Sequence, residues 1–365
     1  METVDHRTFE ATLERSRLLE EAIRRDPGRF RVLTGDRPTG RLHVGHLFGS
    51  LENRVRLQEI GVPIFVVIAD YQVLTDRDCA GDIADSVHQL VVDYLAAGLD
   101  PDNGRTFIFV HSHVPELNQL LLPFLTLVTN AELSRNPTVK DEIKASGRQH
   151  INAGMYTYPV HQAADILFCK ATVVPVGKDQ LPHLEQTRTV ARRFNTRYGG
   201  DKPVFPEPQP LLSNAPSILG LDGSEKMSKS RNNAVMLSSS EDETAAYIKT
   251  AKTDVDRLIT YDPVGRPEVS NLLLLLSLCT KKDPETLASE IGNAGASRLK
   301  SLLTEALNEY LRPLRQRRSE LEQDPQLIRD VLRKGTARAR EVAQQTLAEV
   351  MQAMGMTYGI QDHEG

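Results

Sequence analysis

Seven consecutive residues, Pro63-Ile64-Phe65-Val66-Val67-Ile68-Ala69, offer no polar side chain between two segments of helical periodicity. A strand that is apolar at every position must be covered on both faces, which is the situation of a parallel sheet sandwiched between helices. The same texture recurs through the first half of the chain. Strand signals fall at 30–34, 63–69, 105–110 and 172–176, and helical signals at 45–60, 82–97, 116–129, 155–168 and 181–194. This alternation predicts a doubly wound α/β domain. Ligands in such domains gather outside the carboxyl ends of the strands, so Gly35, Asp70 and Gly177, each just past or at the end of a predicted strand, are expected to line one cleft.

The texture changes near Tyr198-Gly199-Gly200, followed by prolines at 203, 206, 208 and 210. Beyond that join strand signals cease, and helices are predicted at 241–251, 269–279, 284–292, 296–319, 324–334 and 336–354. Ahead of the sheet, Phe9, Leu13, Leu19, Ala22 and Ile23 recur at helical spacing up to Asp26-Pro27-Gly28. Three parts follow: a helical extension over 1–29, a sheet domain over 30–207 completed by a C-terminal helix within 335–365, and an all-helical domain over 208–334.

Composition narrows the class. With 365 residues, 40% hydrophobic and 25% charged, the chain reads as an ordinary globular protein large enough for two domains. No apolar run, 63–69 and 272–276 included, approaches the length of a membrane span. Met1-Glu2-Thr3-Val4-Asp5 shows no basic region ahead of an apolar stretch, which predicts a cytoplasmic protein. Cys79, Cys169 and Cys279 are widely separated and lack metal-site spacing, so no metal-ligating set is assigned. A net charge of −5 requires any nucleic-acid partner to be met by local basic patches, for which Arg312, Arg315, Arg317 and Arg318 are candidates.

Two short stretches carry chemistry. Leu42-His43-Val44-Gly45-His46 follows the turn-rich Thr34-Gly35-Asp36-Arg37-Pro38-Thr39-Gly40, and Lys226-Met227-Ser228-Lys229-Ser230 follows Leu219-Gly220-Leu221-Asp222-Gly223. Gly45 at a helix start lets a ligand approach the backbone closely, and the helix N-terminus offers N–H groups to phosphate oxygens. His43 and His46, three apart, share one side of that turn. Lys226 and Lys229 lie in a loop free to close over a triphosphate, where they and magnesium would stabilise charge on a leaving pyrophosphate.

Together and in this order, the two stretches resemble the signatures of class I aminoacyl-tRNA synthetases. Further segments resemble the bacterial tryptophanyl-tRNA synthetases: Ser112-His113-Val114-Pro115-Glu116, Ile151-Asn152-Ala153-Gly154, Tyr158-Pro159, Ala163-Ala164-Asp165-Ile166, Val174-Pro175-Val176-Gly177-Lys178-Asp179-Gln180 and Val269-Ser270-Asn271-Leu272-Leu273. The likeness covers 30–355 and implies a Rossmann-like catalytic domain, a helical anticodon-binding domain and a homodimer bridged by tRNA. It further implies ligation of L-tryptophan to its tRNA, with ATP as substrate and magnesium as its companion ion.

By that resemblance His43, His46, Lys226 and Lys229 are the catalytic residues. ATP is expected to meet Arg37, Pro38, Thr39, Gly45, Gly177, Lys178, Asp179, Gln180, Ile218, Met227, Ser228 and Ser230 as well. Gly35, Tyr158, Gln162, Asp165, Val174, Val176 and Gln180 are expected around tryptophan, with Asp165 accepting the indole N–H. Residues 158, 162 and 165 are spaced to share one helix face.

The chain departs from the family pattern in places. His43-Val44-Gly45-His46 stands where better-known bacterial members have Thr-x-Gly-Asn, Arg37-Pro38-Thr39 where they have Gln-Pro-Ser, Gln162 where they have methionine and Lys178 where they have glutamate. A pyrophosphate-contacting lysine of the family falls near Glu142, with Lys140 or Lys144 as substitutes. Tyr158-x-x-x-Gln162-x-x-Asp165 also resembles tyrosyl-tRNA synthetases, which keeps tyrosine as a second substrate reading. A non-catalytic paralogue and a small-molecule adenylyltransferase are the other classes compatible with the first motif. The chain contains no tryptophan, so a tryptophan-charging enzyme of this composition could be made when that amino acid is scarce.

Overall fold

The computed structural model describes residues 2–76, 81–146, 152–212, 218–223, 227–228 and 231–358. Five strands form one parallel sheet: β1 Val32–Asp36, β2 Ile64–Ile68, β3 Thr106–Val110, β4 Val173–Val176 and β5 Gln209–Leu212. Their order is β3-β2-β1-β4-β5, so the winding reverses between β1 and β4, and the carboxyl ends of all five point the same way. A crevice opens at such a reversal, and it lies beside Gly35 and Gly177. Gly35 pairs with Val67, whose carbonyl oxygen would sit 2.0 Å from any Cβ placed there. Only glycine fits.

Side chains along each strand alternate between two apolar clusters, as the pleat requires. Val32, Ile64, Val66 and Ile108 join one cluster with Leu90 and Val91 of helix Ile83–Ala96, and that cluster continues without a break into Leu272, Leu273, Leu303 and Leu307 of the helical half. Leu33, Phe65, Val67 and Phe109 face the other way, onto Val160, Ala164, Phe168 and Val190.

Both edges of the sheet are covered, which blocks pairing with another chain. At the β5 edge, Ser16 of helix Glu2–Arg25 accepts a hydrogen bond from Leu212 N–H at 2.9 Å, while Leu19 and Ile23 are buried. At the β3 edge, helix Pro325–Ala353 lies against the strand backbone. Ile328 and Val331 of that helix belong to the first cluster and Ala339, Val342 and Val350 to the second, so the helix crosses from one face to the other near Gly335.

Several sequence expectations need correction. Residues 209–212 form β5 although two of the join's prolines flank or occupy it; an edge strand tolerates Pro210 because its N–H is not required by the ladder. The sheet therefore extends past the boundary drawn at 207. Residues 116–129 make two short helices, Pro115–Gln119 and Leu121–Leu125, with Pro123 in the second. The predicted helices 324–334 and 336–354 are one, since Gly335 is retained for close packing on β3 and no turn interrupts the hydrogen bonding.

A Cβ at Gly335 would lie 1.9 Å from the Ile108 carbonyl oxygen and 2.7 Å from its carbon, atoms that cannot move without disrupting the sheet. Gly335→Ala is therefore predicted to destabilise the protein by about 1–3 kcal/mol or more. A urea melt reads this directly, and a midpoint equal to the parent's would contradict the packing.

Candidate active site

The loop after β1 delivers the first motif to the crevice. His43 is the N-cap of a short helix, Val44–His46, which widens into a π-turn over Leu47–Leu51 before helix Glu52–Ile60. Single π-turns inside helices are frequent at functional sites. His43 N–H donates to His46 Nδ1 at 3.3 Å, and the two ring centroids lie 3.8 Å apart. Burial, with His46 alongside, pushes the His43 imidazole down to about 3, although a hydrogen bond to the Met227 backbone opposes the shift. Burial also lowers His46 despite the charge of Asp36 nearby. Both rings are thus neutral at pH 7 and can serve phosphate oxygens as hydrogen-bond donors, not as cations.

Charge at this position is kept one layer deeper. Arg54 Nη1 bonds Asp36 Oδ2 at 2.7 Å, and Tyr94 donates its hydroxyl to the same oxygen at 2.6 Å. Burial alone would raise the Asp36 carboxyl, yet Arg54's charge and hydrogen bond, with help from His46 and Tyr94, bring it down to about 2. An ion pair closed on itself in this way fixes the end of β1 against helix Glu52–Ile60.

The second motif is brought to the first by backbone pairing. Val44 N–H donates to Val235 O at 3.0 Å, Leu237 N–H donates to Leu42 O at 2.9 Å, and His43 bridges Met236 in antiparallel sense. A Cβ at Gly45 would meet the His43 ring at 3.0 Å and Met227 Sδ at 3.5 Å, so Met227 packs directly over the glycine. Asn233, 3% exposed, staples the loop: its Oδ1 accepts from Ser228 N–H at 2.8 Å and its Nδ2 donates to Asp222 Oδ1 at 3.0 Å. Asn271 does the same for the adjoining segment, accepting from Leu219 N–H at 2.9 Å and donating to Leu219 O at 3.0 Å, beside the buried Ile218.

A groove of about 230 Å³ opens between helix Ala153–Leu167 and helix Val73–Asp76; Tyr71, Gln72, Thr75, Tyr158 and His161 are among its walls. Beneath it lies Asp165, 2% exposed. Gln72 Nε2 donates to Asp165 Oδ2 at 3.3 Å, and His111 Nε2 stands 3.1 Å from Oδ1. Burial, reinforced by the charge of Asp70, raises the Asp165 carboxyl well above the usual range. Tyr158 places its hydroxyl 3.0 Å from His183 Nε2.

The first signature is thus paired through its backbone with the chain that follows the second. A family model described as "tRNA synthetases class I (W and Y)" matches residues 25–312. The chain belongs to that family. It is 43% identical over 338 residues to a tryptophan–tRNA ligase of Clostridium longisporum, covering 90% of this chain and 97% of the relative. A tryptophan–tRNA ligase of Lactococcus lactis is 44% identical over 338 residues, with coverage of 90% and 98%. Among solved structures, tryptophanyl-tRNA synthetase of Campylobacter jejuni complexed with ADP and tryptophan superposes with a TM-score of 0.76 at 29% identity, covering 89% of this chain and 99% of that one.

Within this synthetase, His43, Gly45, His46, Met227 and Ser228 come together. Lys226, Lys229 and Ser230 lie outside the described residues, as do the side chains of Lys178, Glu142 and Lys144. Arg37 and Thr39 are exposed and Pro38 is buried in the loop after β1; Gly177 and Asp179 are exposed beyond β4, next to a half-buried Gln180. Tyr158 lines the groove, whereas Val174 and Val176 are buried in the apolar cluster of Val160, Ala163 and Ala164 and do not. Gln162 is half-buried outside the groove lining. Arg318 is not a tRNA-facing cation: 3% exposed, it sets Nε 3.0 Å from Asp93 Oδ1, while Asp93 Oδ2 accepts from Leu42 N–H at 2.9 Å. Arg315 is half-buried and donates to Thr244 at 2.7 Å. The sequence reading missed Gln72, Asp93, His111 and His161, polar residues whose partners are distant in the chain, and Asn233, whose partners Ser228 and Asp222 are near in the chain but which stands in a polar loop that gives no signal.

Neutral imidazoles predict a specific tolerance. His46→Asn, which keeps a neutral donor, is expected to hold ATP–pyrophosphate exchange within roughly 10-fold, whereas His46→Ala should lose roughly 10²- to 10³-fold. Equal losses in the two variants would contradict the role of His46 as a neutral donor.

Proposed function

We propose that the protein activates L-tryptophan with ATP and ligates it to its tRNA through a tryptophanyl-adenylate. The observation that carries this reading is the junction of the two signatures at His43, Gly45 and Met227. In the first step a tryptophan carboxylate oxygen bonds to the α-phosphorus of ATP as the bond to pyrophosphate breaks. That carboxylate is already ionised at pH 7, so no general base is needed and catalysis rests on positioning and charge stabilisation. His43 and His46 donate to phosphate oxygens, Lys226 and Lys229 meet the pyrophosphate charge, and magnesium enters with ATP as part of the substrate. In the second step a terminal ribose hydroxyl of the tRNA attacks the acyl carbon and AMP leaves.

Arg37, Pro38, Thr39, Gly177, Lys178, Asp179, Gln180 and Ile218 complete the nucleotide site in this proposal. Gly35, Tyr158, Gln162, Asp165, Val174 and Val176 are assigned to tryptophan, the valines as the apolar layer behind the ring. The helical half, over 213–334, is assigned to the anticodon, and the assembly is a homodimer working in the cytoplasm. No described helix is long and apolar enough to cross a membrane.

Tyrosine is the competing substrate, because a carboxyl at 165 can accept from a phenol as from an indole. Relatives above 40% identity that carry the tryptophan name favour the indole. ATP–pyrophosphate exchange measured separately with each aromatic amino acid is expected to favour tryptophan over tyrosine by at least roughly 10³-fold, with phenylalanine silent. Exchange with tyrosine and none with tryptophan would overturn the assignment.

A further inference from the structure

Behind Tyr158 a chain of polar side chains leads into the interior. Tyr158 stands on helix Ala153–Leu167, and its hydroxyl oxygen lies 3.0 Å from Nε2 of His183 on helix Leu181–Tyr198. The other nitrogen of that ring, Nδ1, lies 3.3 Å from the side-chain nitrogen of Asn136. His183 and Asn136 are both buried, 1% and 6% exposed, so their hydrogen bonds are made within the protein.

The amide of Asn136 has one orientation. It precedes helix Pro137–Ser146, and its Oδ1 accepts from Thr138 N–H at 3.1 Å and from Val139 N–H at 3.4 Å, two of the groups that a helix start leaves unsatisfied. Turning the amide over would set its hydrogens against those N–H groups. Nδ2 therefore faces His183 and donates to Nδ1, which must present a lone pair.

Burial, against the charge of Asp179, pushes the His183 imidazole down to about 4, so at pH 7 the ring is neutral and carries a single hydrogen. With Nδ1 accepting, that hydrogen sits on Nε2 and is donated to the Tyr158 oxygen. The opposite tautomer would set two donors against each other between His183 and Asn136, in a place closed to solvent. Among the described residues each ring nitrogen has a single partner, so no hydrogen or lone pair serves twice. The far end of the chain is fastened as well: Thr138 Oγ1 donates to Asp179 O at 3.1 Å, which ties the helix capped by Asn136 to the turn assigned to ATP.

We propose that His183 is a positioning residue for the amino-acid site: held in its Nε2–H tautomer by Asn136, it donates to Tyr158, fixing the hydroxyl oxygen in place and sending the hydroxyl hydrogen to a group other than His183. His183 acts through Tyr158 and is not itself assigned to a substrate. The inference rests on the assignment of Tyr158 to tryptophan, and its test separates the two.

Nitrogen NMR of the full-length protein with isotope-labelled histidine reads the tautomer without substrate. At pH 7 the His183 signals, assigned by their loss in His183→Gln, are expected to show a bare Nδ1 and a protonated Nε2; the reverse pattern would overturn the proposal. Steady-state ATP–pyrophosphate exchange then reads the positioning. His183→Leu should raise KM for tryptophan by roughly 10-fold with kcat changed less than about 3-fold. His183→Gln, whose amide nitrogen can donate in place of Nε2, should keep KM within about 3-fold of the parent. In a Tyr158→Phe background, His183→Leu should change KM by less than about 2-fold, because the interaction it removes is already gone. Should His183→Leu fail to fold, His183→Met makes the same comparison with a more adaptable apolar side chain. A folded apolar variant with the parental KM, or an equal loss with and without the Tyr158 hydroxyl, overturns the proposal. A parent that exchanges with tyrosine and ignores tryptophan overturns the proposed function alone, and the same comparison of KM is then made with tyrosine.

Discussion

The site depends on a short stretch of antiparallel backbone pairing between residues distant in sequence. Val44 N–H to Val235 O and Leu237 N–H to Leu42 O fix the chain that follows the second signature alongside the chain that begins the first. Backbone hydrogen bonds in a buried place leave little freedom of register, because a shift would orphan donors and acceptors at a cost of about 1–3 kcal/mol each. From this pairing the rest follows. Met227 packs over Gly45, His43 reaches the Met227 backbone, and Asn233 holds Ser228 from the same segment.

A second layer ties that junction to the body of the protein. Asp93, whose carboxyl burial raises to about 6 against the pull of Arg318, accepts from Leu42 N–H with one oxygen and faces Arg318 with the other. Arg318 belongs to helix Gly295–Glu322 of the helical half, and its Nη2 also donates to Gln89. One buried ion pair thus touches the first signature, helix Ile83–Ala96 and the helical half. Removing either partner would leave an unpaired buried charge, an arrangement that costs several kcal/mol. On the opposite side of the signature, Asp36, Arg54 and Tyr94 play the same part for the end of β1.

The sequence disclosed what periodicity and local motifs encode. The apolar runs at β2 and β3, the glycines at 35 and 45, and the two signatures are all readable because burial on both faces and close backbone approach impose residue types locally. It disclosed poorly what long-range pairing decides. The proline-containing β5 lacks any propensity for a strand and exists because β4 offers it an edge. Arg318 looked like one of a row of surface cations until its partner, more than two hundred positions earlier, is seen beside it. His161 and His111 likewise give no signal singly; their Nε2 atoms lie 2.8 Å apart only once helix Ala153–Leu167 is brought beside the turn His111–His113 that follows β3.

Asn233 offers the most direct test that the junction of the two signatures is what makes the site competent. It is not itself assigned to any substrate, yet it holds Ser228 and Asp222 together. Asn233→Ala should slow single-turnover formation of tryptophanyl-adenylate by about 10²-fold, the cost of a misplacement of about 1 Å, while the dissociation constant for tryptophan by equilibrium dialysis stays within about 3-fold of the parent. A variant that folds, binds tryptophan and forms the adenylate at the parental rate would contradict the account.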